Sequence, residues 1–111
     1  MEALSLGFSP CPNDTFVFAA WVHGKISDAP PVDLVLDDIE SLNGLALEER
    51  LDVAKVSFHA YGSLRERYCL LHSGGALGRG CGPLVVAREP WSADELRGKR
   101  IAVPGRYTTA A

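Results

Sequence analysis

Three times in its first half the chain passes from a short apolar run, through a cluster of small polar residues, into a helix-like pattern. "LSLGF" (4–8) leads into "SPCPND" (9–14), "VDLVL" (32–36) into Asp37-Asp38, and "DVAKVSF" (52–58) into the stretch from Ser57 to Arg67. Apolar and polar residues alternate in these runs as they do in half-buried strands. Strands that alternate with helices at this spacing require an α/β fold with a largely parallel sheet, because a parallel pair needs a crossover helix.

The boundaries follow from local chemistry. The strand Ala3–Phe8 precedes a helix over Thr15–His23, with Asn13 or Asp14 as N-cap and Gly24 as the stop. Asp37-Asp38 predict a cap for a helix over Ile39–Glu49 that carries Leu42, Leu45 and Ala46 on one face. Gly44 within it costs about 1 kcal/mol against Ala. Further along, "YCLLHS" (68–73), "LVVAR" (84–88) and "RIAV" (100–103) read as strands, and Ser92 as the cap of a short helix ending near Gly98. Pro90 and Trp91 mark the boundary between a unit over 1–89 and one over 90–111. The final "KRIAVPGRYTTAA" gives a strand, a Pro-Gly turn and a helix too short to repay its nucleation, so a truncated chain is expected.

Composition excludes several functions. Of 111 residues 47% are apolar and 23% charged, a globular balance, and the net charge of −3 comes with no basic run. Nucleic acid binding, which needs clustered Lys and Arg, is therefore not expected. Three cysteines, Cys11, Cys69 and Cys81, form no Cys-x-x-Cys pair, which argues against a disulfide framework and a zinc ribbon. No apolar segment approaches a membrane span and no signal-peptide pattern opens the sequence, so a cytoplasmic protein away from membranes is expected.

In open α/β sheets ligands bind beyond the carboxyl ends of the strands. Three junctions there are rich in hydroxyls and small residues: "SPCPND" (9–14), "KVSF" (55–58) and "VPGRYTT" (103–109). Free N–H groups at helix starts, with hydroxyls from Ser9, Ser57, Thr108 and Thr109, suggest a pocket for a small carboxylate. Structural capping is the competing reading for each. The glycine-rich loop "GGALGRGCGP" (74–83) is no dinucleotide motif, since Gly78, Gly80 and Gly82 are misspaced and Pro83 leads to a strand. A mobile loop or a hinge approach is expected there, with Arg79 as a candidate anion contact. His23, His59 and His72 are not at metal-ligand spacing, and no acid is placed to make Ser57 and His59 a nucleophile–base pair. Cys11 lies in the first junction as a small space-filler. Trp21 and Phe16 read as core.

"GFSPCPNDTF", "GGALGRGCGPLVV" and "IAVPGRYTTA" resemble the 1,4-dihydroxy-6-naphthoate synthases of the futalosine route to menaquinone, from Leu4 to Ala111. The Ser-Pro-Cys-Pro-Asn-Asp run argues against chorismate dehydratase of the same pathway. The resemblance implies a two-lobed periplasmic-binding-protein-like fold, with 1–89 in lobe one and 90–111 forming the hinge crossing and the start of lobe two. It also implies a lyase acting on cyclic dehypoxanthinyl futalosine without metal or organic cofactor. Ser57, Thr108 and Thr109 map onto the positions that hold the substrate's carboxylate, while Ser9, Cys11 and Asn13 are pocket-lining candidates. The family's general base is a histidine in the second lobe. None of His23, His59 and His72 matches it, so this chain by itself is expected to be inactive. A solute-binding module of the same fold, which captures a carboxylate without chemistry, is one alternative, and chorismate dehydratase is the enzymatic one.

Overall fold

A computed structural model describes residues 1–111. Its elements are β1 (Leu4–Phe8), α1 (Pro12–Val22), β2 (Val32–Leu36), α2 (Ile39–Leu47), β3 (Val53–Ala54) and α3 (Phe58–Leu64). The strands form one parallel sheet in the order β2-β1-β3. The α/β class and the parallel sheet are as the alternating pattern requires.

The central strand β1 carries the sheet. Leu6 and Phe8 are buried on one of its faces, and the Phe8 ring stacks on Phe18 of α1 with centroids 4.8 Å apart. On the other face Gly7 allows α2 to close in. A Cβ at that position would stand 2.6 Å from Leu51 Cδ1 and 3.0 Å from Leu42 Cδ2, so a larger residue would force those leucine ends to move. Leu42, Ala46, Leu51, Ala60 and Leu64 complete the core. At the start of β3 the Ser5 hydroxyl donates to Asp52 Oδ2 at 2.7 Å, and the Asp52 N–H donates to Ser5 Oγ at 2.8 Å.

Helix α1 begins earlier than the cap residues suggest. Cys11 is the N-cap, without a side-chain cap bond, and Pro12 occupies the first turn, where its missing N–H costs nothing. Asn13 and Asp14 therefore lie inside the helix, and Asp14 is buried. At the far end the Lys25 N–H donates to Ala20 O and the Gly24 N–H to Trp21 O, the paired bonds of a Schellman stop. Helix α2 has the expected cap: Asp38 Oδ1 accepts from the N–H groups of Glu40 and Ser41, both at 3.0 Å. Its buried stripe is Leu42, Asn43 and Ala46. Phe16 is not core; it stands 85% exposed on α1.

Beyond Tyr68 the expectation of regular structure is overturned. Residues 68–73, 84–88 and 100–103 form no strand, and 92–98 form turns instead of a helix. A strand's N–H and C=O groups must pair with a neighbour, and none lies alongside these runs. Leu84 and Val86 are 85% and 88% exposed. The capping chemistry at Ser92 survives, its N–H donating to Glu95 Oε2 at 2.7 Å. The radius of gyration is 16.9 Å, well above the roughly 13 Å of a compact domain this long. No helix is long and apolar enough to cross a membrane.

Candidate functional site

The carboxyl ends of β1 and β3 lie side by side, and a charged pair bridges the junctions that follow them. Lys55 Nζ donates to Asp14 Oδ1 at 3.1 Å, with side chains 22% and 8% exposed. Asp14 Oδ2 accepts from Ser9 Oγ at 2.7 Å and from the Ser9 N–H at 3.2 Å. Ser9, half-buried, thus gives both its N–H and its hydroxyl hydrogen to Asp14. Cys11 and Asn13 are exposed at the helix start. Asn13 lines a shallow groove with Pro12, Phe16 and Val17 facing Gly75–Gly78.

Ser57 is the N-cap residue of α3, yet its hydroxyl makes no cap bond. It is held instead by the side chain of Asn43, which is 0% exposed on the inward face of α2. Asn43 Nδ2 donates to Ser57 Oγ at 3.0 Å, and Asn43 Oδ1 accepts the Ser57 N–H at 2.9 Å.

The third junction folds back onto the same place. The Tyr107 N–H donates to both carboxylate oxygens of Glu40 on α2, at 3.1 and 3.0 Å. Thr109 Oγ1 accepts the N–H of His59, two residues past Ser57, at 3.2 Å. Thr108 is buried and its hydroxyl donates to Gly105 O at 2.8 Å, which closes the turn. A Cβ on Gly105 would stand 2.6 Å from Glu40 Cβ, an atom fixed to the α2 backbone, so the close approach requires glycine. Of the six candidate residues, Ser57, Thr108 and Thr109 gather around the start of α3. Ser9, Cys11 and Asn13 stay with the β1–α1 turn, joined to β3 only through Asp14 and Lys55. Arg79 lies exposed in the 74–83 loop, away from these contacts.

Reasoning from sequence missed Asn43, Glu40, Asp14 and Lys55. Asn43 had a readable trace, a polar residue inside the stripe Ile39, Leu42, Asn43, Ala46 at helical spacing. Asp14 looked like a cap because helix starts favour aspartate.

A family described as menaquinone biosynthesis matches residues 4–111. The chain belongs to this family. Over 110 residues it is 62% identical to a 1,4-dihydroxy-6-naphthoate synthase of Thermus thermophilus, a match covering 99% of this chain and 40% of that protein. A Streptomyces coelicolor protein of the same name is 49% identical over 109 residues, covering 98% and 38%. The crystal structure of an Archaeoglobus fulgidus protein superposes with a TM-score of 0.85 and 42% identity, covering 97% of this chain and 40% of that one. This member of the family therefore spans about 40% of the length of the relatives it matches. The superposition covers nearly the whole chain, residues 68–111 included.

Proposed function

We propose that the chain is the N-terminal part of a 1,4-dihydroxy-6-naphthoate synthase, a cytoplasmic lyase that converts cyclic dehypoxanthinyl futalosine to dihydroxynaphthoate. The observation that carries this reading is the docking of the 105–109 turn beside Ser57, through Glu40 and the His59 N–H. It unites two separate hydroxyl-rich junctions, in a chain whose relatives bear that enzyme's name.

In this reading Ser57 and Thr109 present hydroxyls to the substrate's carboxylate. Both oxygens already accept a bond from the protein, from Asn43 Nδ2 and the His59 N–H, so each hydrogen is left to donate. Thr108 spends its hydrogen on Gly105 and holds the turn in shape. Hydrogen bonds to a charged acceptor are worth about 1.5–3 kcal/mol each, enough to orient a carboxylate. Proton abstraction then falls to a base outside residues 1–111. The fold proposed is two-lobed and periplasmic-binding-protein-like, with 1–89 in lobe one and 90–111 crossing the hinge into lobe two. The runs 84–88 and 100–103 pair with strands supplied by the rest of the family's polypeptide.

Incubating the full-length protein with cyclic dehypoxanthinyl futalosine and separating the products tests the proposal. Dihydroxynaphthoate is the expected product. Ligand bound and returned unchanged would reveal a solute-binding module, and dehydration of chorismate would reveal the sister enzyme.

A further inference from the structure

We infer that Asn43 is a positioning residue that fixes the direction of the Ser57 hydroxyl, making it a permanent donor toward the carboxylate. The inference rests on the carboxylate site proposed above, and it assigns a task to a residue outside that site.

The argument starts from an ambiguity that usually attends asparagine. The two ends of a side-chain amide look alike, and which is oxygen must be read from its partners. Here the backbone settles the matter. The Ser57 N–H can only donate, so the atom 2.9 Å from it is Oδ1. The atom 3.0 Å from Ser57 Oγ is then Nδ2, which can only donate. Ser57 Oγ is thus an acceptor in this pair, and its own hydrogen cannot point back at Asn43. It is left to an acceptor other than Asn43, and no protein acceptor claims it.

Burial makes this polarity stable. Asn43 is 0% exposed, between Leu42 and the Gly44 turn of α2. A flipped amide would set Nδ2 against the Ser57 N–H, two donors face to face without water to relieve them. A buried amide in an apolar stripe is costly unless fully used, and no buried side-chain polar atom of this chain lacks a partner. Asn43 spends both of its ends on one residue, Ser57. Capping of α3 does not account for this, because Ser57 makes no side-chain cap bond there.

The test is a double-mutant cycle in the full-length protein, with KM and kcat measured for Asn43→Ala, Ser57→Ala and the pair. Each single variant is expected to raise KM about tenfold, the loss of one hydrogen bond to a charged acceptor. The pair should raise it no more than about twofold beyond Ser57→Ala, because Asn43 acts only through that hydroxyl. Additive losses, about a hundredfold in the pair, would make Asn43 a structural residue and overturn the inference. So would an unchanged KM in Asn43→Ala beside a raised one in Ser57→Ala. An unchanged KM in Ser57→Ala would overturn the carboxylate site and this inference together, while leaving the assigned reaction in place. If Asn43→Ala does not fold, Asn43→Ser keeps a neutral hydrogen-bonding group and the same cycle is read with it.

Discussion

Residues 1–67 and 68–111 are equally rich in strand-like runs, and only the first part turns them into a sheet. Of the eleven buried residues Thr108 alone lies beyond Leu64. "LSLGF" at 4–8 has β2 on one side and β3 on the other, whereas "LVVAR" at 84–88 has no strand beside it. The difference lies in the neighbours, since both runs are mostly apolar. A strand is a property of a pair, and a pattern in one run says nothing about whether its partner is present. Apart from Tyr68, whose hydroxyl donates to Leu51 O at 2.8 Å, the second part bonds to the first at the 105–109 turn, which has partners on α2 and α3.

The sharpest way to break this comparison is to delete the same side chain in both parts. Leu6→Ala, at a fully buried position, should cost about 3 kcal/mol in urea unfolding. Leu84→Ala should cost less than about 0.5 kcal/mol, and equal losses would show that both parts share one core. Next in size is Asp14→Ala, which strands Lys55 and Ser9 without their acceptor. Allowing for the partial exposure of the lysine, a loss of about 2 kcal/mol is expected. Asp14→Ala/Lys55→Met should recover part of it; no recovery would mean that the Ser9 bonds carry the stability.

Smaller still is Gly105→Ala. Its Cβ collides with Glu40 and should release the turn, speeding amide exchange at 105–109 while the melting transition of the sheet holds. Unchanged exchange there would refute the docking. The smallest effect is in acid. The Ser41 hydroxyl's hydrogen bond holds Asp38 below its ordinary 3.8, and that of Ser5 does the same for Asp52. A carboxyl with a lowered folded value binds its proton less readily in the folded state. The stability it adds is therefore complete above about pH 5 and lost as pH falls through the folded value. Both groups are exposed, so melting temperature should dip only slightly from pH 5 to pH 3, and Asp38→Asn with Asp52→Asn should flatten the dip.

These contrasts also mark what could be read from the residues. The strands at 4–8 and 32–36 and the Asp38 cap were legible because their causes are local: alternation in one case, a side chain bonding its own helix start in the other. The start of α1 was misplaced because proline at the first helical turn and aspartate within it resemble a cap two residues later. The strand expected over 52–58 shrinks to Val53–Ala54, since Lys55 turns to Asp14 and Ser57 to Asn43. Hydroxyls at strand ends pointed to Ser57 and Thr109, whose junctions meet through the His59 N–H. Asn43 and Glu40 were hidden because their roles depend on which junction folds onto which helix, and spacing along the chain does not carry that.

Hydrogen exchange on residues 84–88 and 100–103, in this chain and in the full-length protein, tests most directly that the second part is strands awaiting partners. The account predicts near-random-coil exchange in the chain alone, and protection by at least about a hundredfold in the longer protein. Equal protection in both would contradict it, because 68–111 would then be complete without neighbours. The turn docked beside Ser57 would then need no further chain to hold it.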